Sequence, residues 1–160
     1  MSKSLVAYFS YGGRTAEVAR RVAAAAGADL FEIVPEQPYS EADVDWRDKH
    51  SRCTLEANDP QSRPAVADRV PDMGAYDVIF LGFPIWWYRE PNIVDSFLDG
   101  YDLDGKVIVP FCTSGGSTVA KAVGSIAGNA PGATVLEGAT LNGASDAAVD
   151  ALVAQAHWDR

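Results

Sequence analysis

The sequence predicts an α/β fold, a doubly wound five-stranded parallel sheet with helices on both faces. Short apolar runs alternate five times with helix-like segments along the 160 residues. The runs are continuous rather than alternating, which is typical of parallel strands buried on both faces. Right-handed crossovers leave few topologies, and strand order 2-1-3-4-5 is favoured. The length suits one domain, residues 1–160.

The first β-α-β unit is punctuated by glycine and proline. Residues 4–9 (SLVAYF) predict the first strand. An alanine-rich helix is expected from Thr15 to a glycine stop at Gly27. Residues 29–34 predict the second strand, which Pro35 closes.

The middle of the chain combines a polar connection with the most apolar strand. Residues 35–75 contain prolines 35, 38, 60, 64 and 71, and a helix is expected around residues 40–57. Residues 76–83 predict the third strand, and residues 92–100 a short helix ending at Gly100.

The last third continues the alternation. We expect a fourth strand at residues 106–112, a helix over residues 118–128 and a fifth strand at residues 133–141. A closing helix follows, with Ser145 or Asp146 as its N-cap.

Composition narrows the partners. The net charge of −9 argues against nucleic acid and anionic membranes, which select basic faces. An acidic surface could steer the protein toward a basic partner, although simple solubility explains it as well. No apolar run is long enough for a signal or membrane segment. Cys53 and Cys112 are far apart and predict free thiols in a cytoplasmic protein.

Ligands of such sheets bind beyond the carboxyl ends of the strands, where the strand order reverses. The first loop there is SYGGRT, residues 10–15. Its glycines and helix start suit a phosphate, the hydroxyls of Ser10 and Thr15 could donate, and Arg14 could supply charge. The alternative is a flexible turn with Thr15 as an ordinary N-cap. The loop has neither Walker A nor GxGxxG spacing.

The second and third loops are equally unusual. PIWWYRE, residues 84–90, places adjacent aromatics after a strand, so at least one should reach the surface or a cleft. A flat ligand stacked on indole would explain this, and so would a tryptophan covering a helix. Arg89 and Glu90 are interpreted as a local solvated pair. TSGGS, residues 113–117, is rich in donors but weak evidence alone. Together the loops suit a phosphorylated planar heterocycle.

Two of these segments resemble a known family. GFPIWW at residues 82–87 and FCTSGGS at residues 111–117 are similar to the G-[FY]-P-I-W-W and F-C-T-x-G-G-S segments of a flavodoxin-like group. The resemblance to the flavodoxins spans almost the whole chain and implies non-covalently bound FMN.

Carried over by position, the resemblance assigns three sets of contacts. The phosphate set is Ser10, Tyr11, Gly12, Gly13, Arg14 and Thr15. The residues flanking the isoalloxazine are Pro84, Ile85, Trp86 and Trp87. The far edge of the ring would meet Thr113, Ser114, Gly115 and Gly116. The family's first loop usually reads S-x-[ST]-G-N-T, so Gly12 and Arg14 depart from it. A different phosphorylated flavin or deazaflavin is therefore an alternative ligand.

Two functions remain open. An electron carrier exchanging electrons with a partner protein or small acceptor needs no catalytic side chain. An FMN-dependent NAD(P)H reductase acting on a quinone or similar acceptor is the alternative, and either a monomer or a homodimer would serve. A phospho-receiver is disfavoured because no aspartate cluster ends the first strand. We assign no catalytic or metal residues, since His50 and His157 lack ligand company and Cys112 is expected to be a buried packing residue.

Overall fold

The computed structural model describes residues 3–114 and 118–156. Its strands are β1 (Ser4–Tyr8), β2 (Asp29–Glu32), β3 (Val78–Pro84), β4 (Val107–Thr113), β5 (Thr134–Val135) and β6 (Ala139–Thr140). Its helices are α1 (Arg14–Ala26), α2 (Arg52–Ala57), α3 (Asn92–Asp99), α4 (Ala120–Asn129) and α5 (Asp146–Gln155), with a 3₁₀ turn at Met73–Ala75.

The sheet has the predicted parallel order, β2-β1-β3-β4-β5, with β6 also pairing with β4. Successive residues of β1 enter different cores, because side chains alternate along a strand. Leu5 and Ala7 pack in one cluster with side chains of α3 and α4, whereas Val6 and Tyr8 pack in the other with α1 and α5. Helices therefore cover both faces, as the fold class requires.

Helix boundaries agree closely except in the long connection. Gly27 ends α1 in the left-handed conformation, as expected, and α1 begins one residue before Thr15. The helix expected around residues 40–57 is wrong for most of its length, since only α2 forms, with Ser51 as its N-cap.

Local side-chain bonds explain this difference. The Asp43 carboxylate accepts from Ser40 N at 3.0 Å, Asp45 accepts from Arg47 N at 3.1 Å, and Asp48 accepts from His50 N at 2.9 Å. Aspartate that bonds nearby backbone amides competes with helix formation.

The single fifth strand expected over residues 133–141 is interrupted. Val135 of β5 pairs with Ile108, which is 27 residues earlier, whereas Ala139 of β6 pairs with Phe111, which is 28 residues earlier. One extra residue is therefore inserted between β5 and β6. Leu136 N donates to Ile108 O, and the next bond of the parallel ladder would need an N–H from Pro110, which proline lacks. Gly138 takes φ 63° there, and a Cβ on it would overlap the Pro110 carbonyl. The Gln155 side chain bonds both backbone groups of Gly138 at 2.9 Å.

Within the described ranges, no helix is both long and apolar enough to cross a membrane.

Candidate functional site

The loops after β1, β3 and β4 meet at the edge of the sheet that is formed by the carboxyl ends of its strands. Hydroxyl oxygens of Thr15 and Thr113 lie 2.7 Å apart in a buried position, which joins the first loop to the third. Ile85 N donates to Thr113 O at 2.9 Å, which joins the second loop to the third. The structure thus brings together the described parts of the three segments that the sequence singled out.

The first loop is an open, donor-rich cradle. Gly12 and Gly13 have φ of 84° and 93°, and an added Cβ at either would meet no atom of the described residues within 4 Å. Ala16 N donates to Ser10 Oγ at 3.1 Å, but in the described part of the chain no group accepts from the amides of Gly13, Arg14 or Thr15. Free amides at a helix N-terminus attract anions, so the residues present fit a phosphate group.

Thr15 lies beneath this cradle rather than capping the helix. Gly13 is the N-cap of α1, so the alternative of an ordinary cap at Thr15 is wrong. The Thr15 side chain is buried against Thr113, and both residues are almost inaccessible to solvent. Their hydroxyls fix the distance between two loops, whereas contact of either residue with a ligand stays a prediction.

A residue that sequence reasoning missed also links the loops. Asn142 Oδ1 accepts from Ser114 N at 2.8 Å and lies 3.4 Å from Arg14 Nη2. Asn142 precedes Gly143 in an Asn-Gly pair just beyond β6, at the same sheet edge. Such a pair after a strand marks a tight turn, and that signal could have found it.

The second loop is a strained hairpin formed by Trp86, Trp87, Tyr88 and Arg89. Trp86 N donates to Arg89 O at 3.0 Å, and the central residues Trp87 and Tyr88 have φ of 56° and 72°. Two positive φ angles define a turn that normally takes Asn-Gly, so aromatic residues here are strained. Trp87 and Tyr88 are 40% and 62% exposed, which confirms that aromatics after β3 reach the surface.

Trp86 anchors the hairpin from below. It is half-buried, and its ring packs edge-on against Phe9 and Tyr39, at centroid distances of 5.4 and 5.1 Å. Tyr11, half in solvent, lies 6.4 Å from the Trp86 ring. Pro84 ends β3 opposite Thr113.

A cleft of about 530 Å³ opens beside the hairpin, lined by Trp46, Arg47, Ile85, Trp87 and Tyr88. This volume is in the range of small-molecule sites. Lys121 Nζ lies 5.2 Å from the centre of the Tyr88 ring, whereas the Arg47 guanidinium in the cleft lining is paired with Asp45 at 3.3 Å. Exposed aromatic side chains of this kind suit a flat molecule.

The expectation of a solvated Arg89–Glu90 pair is wrong. Glu90 is 0% exposed and Asp95 on α3 is 1% exposed, while Arg89 Nη1 lies 3.1 Å from Asp95 Oδ2 and 3.9 Å from Glu90 Oε2. Burial and the neighbouring Asp95 raise the pKa of Glu90 to about 9. The chain folds back after the hairpin, and helix packing closes over a carboxyl group that looks solvent-exposed in the sequence.

The other residues discussed in the sequence analysis either lie outside the described residues or are distinguished by their burial. Gly115 and Gly116 of the third loop, and His157, lie outside the described residues. Cys112 is buried as expected, and burial raises the pKa of its thiol. His50 is exposed, and the described residues contain no group of side chains suited to a metal ion.

Comparison with known proteins gives this geometry a family. No curated protein matches the chain. A candidate flavoprotein from Bacteroides eggerthii is 44% identical, with 98% of each chain covered and a TM-score of 0.92. Another from Bacteroides uniformis is 42% identical over 96% of this chain and 98% of that one, with a TM-score of 0.91.

A more distant structure is a Lactobacillus acidophilus flavoprotein in complex with FMN. It is 23% identical over 88% of this chain and 93% of that one, with a TM-score of 0.70, and shows the same fold. The flavodoxin family model matches residues 3–156. The chain therefore belongs to the flavodoxin family.

Proposed function

We propose that this protein binds FMN non-covalently at the three loops and carries electrons. One observation carries the proposal: an open cradle for an anion and a strained aromatic hairpin lie together at the same edge of the sheet. Membership of the flavodoxin family supports FMN as the ligand, as does the FMN complex of the Lactobacillus acidophilus protein.

The chain's own groups divide the work of binding. The amides of Gly13, Arg14 and Thr15 would hold the phosphate, and the Arg14 guanidinium would add charge. Trp86 and Trp87 would form an aromatic wall for the ring: the buried side of Trp86 would keep it in place, and the exposed Trp87 would offer the stacking face. FMN itself supplies the electron chemistry, and the protein's part is to bind it and control its surroundings.

Exposure of the hairpin supports a carrier. Trp87 and Tyr88 reach the surface, so a ligand stacked there would have an edge within reach of a partner. Electron transfer through such an edge requires no proton-transferring side chain.

The cleft lined by Trp46, Arg47 and the hairpin favours a second candidate function. Its volume of about 530 Å³ could admit a nicotinamide or a quinone beside the flavin. The protein would then be an FMN-dependent NAD(P)H reductase.

Absorbance spectroscopy separates these functions. Purified protein, supplied with FMN if needed, is mixed without oxygen with NADH or NADPH. A bound flavin that stays oxidised with both nucleotides, yet accepts electrons from a reductase, supports the carrier. Fast bleaching with turnover on a quinone supports the reductase. No flavin binding after FMN addition would overturn both.

A further inference from the structure

Glu90 lies at the joint between the aromatic hairpin and α3, sealed from solvent. Its Oε2 accepts the Ser125 hydroxyl at 2.7 Å. In the described part of the chain, Oε1 has no hydrogen-bond partner. A buried carboxylate oxygen without a donor carries uncompensated charge, so the neutral acid is favoured.

Asp95 is a second buried carboxyl group beside it. Asp95 Oδ1 accepts from Asn129 Nδ2 at 3.2 Å, and its Oδ2 pairs with Arg89 at 3.1 Å. One guanidinium therefore faces two carboxyl groups and lies closer to Asp95 than to Glu90. If both were ionised, one negative charge would be unpaired in the interior, which a shared proton prevents.

No other described cation bonds directly to Glu90. The hairpin contributes Arg89, α3 contributes Asp95, and α4 contributes the uncharged Ser125 and Asn129. Arg63 reaches the cluster only through Asn129 Oδ1, at 2.9 Å, and its own ion pair is with Asp99.

These contacts connect the second loop, which forms the hairpin, with the helix that follows the third loop. Both loops are predicted to contact the flavin. The Ser125 bond ties the hairpin to α4, the helix after the third loop. Arg89 donates to Asn92 Oδ1 at 2.9 Å, and its backbone oxygen accepts from Trp86 N. The shape of the hairpin thus depends on how Arg89 is held.

We propose that Glu90 and Asp95 share one proton, and that Glu90 is a positioning residue whose neutral form keeps Arg89 and the hairpin in the flavin-binding shape. The first half stands on the buried cluster alone. The second half rests on the proposed FMN site.

The sign of the pH dependence follows from the raised pKa of Glu90. The ordinary pKa of the Glu90 carboxyl group is 4.5, and in the folded protein it is about 9. At any pH between these two values, the folded protein holds one proton more than the unfolded chain. The protein therefore becomes less stable as the pH rises through this window. The equilibrium constant for unfolding increases about tenfold per pH unit and stops increasing above the window.

Urea unfolding from pH 5 to pH 9 tests the shared proton in the full chain, without and with FMN. Glu90→Gln mimics the neutral acid and is expected to remove this fall of about tenfold per pH unit. Glu137→Gln, the same change at an exposed glutamate, should behave like the wild type. Equal slopes for Glu90→Gln and the wild type would overturn the proposal.

Ser125→Ala gives a second readout if the first variant folds poorly. The Ser125 hydroxyl favours the ionised form of Glu90, so its loss should raise the pH at which the slope ends. A purely structural role predicts instead the same loss of stability at every pH, which would count against a shared proton.

FMN affinity between pH 7 and pH 10 tests the positioning role. The wild-type Kd should rise by up to about tenfold per pH unit above the pKa of the pair, while that of Glu90→Gln stays within about twofold. Parallel pH dependences would overturn positioning. If neither protein binds FMN, the proposed function and the positioning role fail together, and the unfolding slopes still decide the shared proton.

Discussion

At the residue scale, the cradle depends on the absence of side chains. Gly13 at φ 93° has no described atom within 4 Å of the place where a Cβ would stand, so among the described residues no side chain or backbone fills that space. We infer that the gap accommodates the ligand, because an empty space above free amides is what a phosphate needs.

Gly13→Val should abolish FMN binding while the protein still folds. The side chain would occupy the cradle, and the left-handed backbone would cost about 1–3 kcal/mol of stability. Gly105→Val is the matched control, since Gly105 also has positive φ and open space but precedes β4 at the opposite end of the sheet. Flavin titration and urea unfolding of both variants check this. Full FMN occupancy in Gly13→Val would show that the cradle is misassigned.

Arg14 tests the same site through charge. Arg14→Ala should weaken FMN binding by about 10- to 100-fold, since charged hydrogen bonds contribute about 1.5–3 kcal/mol, and should leave riboflavin, which lacks the phosphate, almost unchanged. Arg20→Ala, an exposed change on the same helix, is the control. Fluorescence titration with both flavins measures the ratio. Equal losses for the two ligands would give Arg14 a structural role instead.

At the element scale, the hairpin after β3 trades stability for exposed aromatic surface. Its two left-handed residues each cost about 1–2 kcal/mol relative to a turn sequence that accepts this backbone. Buried contacts of Trp86 and Arg89 hold the turn in place despite that strain. Strain kept beside a candidate site is consistent with a functional role.

The double variant Trp87→Asn with Tyr88→Gly should stabilise the flavin-free protein by about 1–3 kcal/mol and weaken FMN binding. The loss of the exposed Lys121 contact to Tyr88 offsets only about 0.5–1 kcal/mol. Trp46→Asn, another exposed tryptophan, should change stability by less than about 0.5 kcal/mol. Urea unfolding and flavin titration provide the readouts. Stronger FMN binding by the double variant would contradict the aromatic wall.

At the scale of the whole molecule, the net charge of −9 governs encounters with other molecules. Reduced protein should be reoxidised faster by a small cationic one-electron oxidant than by a similarly strong anionic one. Raising the salt should narrow that difference, by roughly tenfold or more, because screening removes long-range steering. Stopped-flow kinetics at several ionic strengths measure it. No salt dependence would mean that the acidic surface serves solubility alone.

Much of the fold could be read from local patterns. Continuous apolar runs, the glycine stop at Gly27 and a cap at Ser145 or Asp146 were each predicted. The structure has Ser145 as the cap, with its Oγ accepting from Ala148 N at 3.2 Å. The exceptions, the helix around residues 40–57 and the single fifth strand, depended on side-chain competition and on Pro110 facing Gly138. The aspartate bonds are local, but apolar periodicity and helix propensity do not register them, whereas Pro110 and Gly138 are 28 residues apart and meet only in the folded sheet.

The sequence by itself determined the strand order, the three loops at one edge and the chemistry that those loops suit. Its periodicity and glycine positions are local properties, and the rules of parallel sheets carry them to the site. Only the tertiary structure decided that Thr15 and Thr113 bond each other, that Asn142 joins two loops, and that Glu90 is buried with Asp95. Those outcomes depend on which distant residues come together, since burial and hydrogen bonding are settled by neighbours in space rather than in sequence.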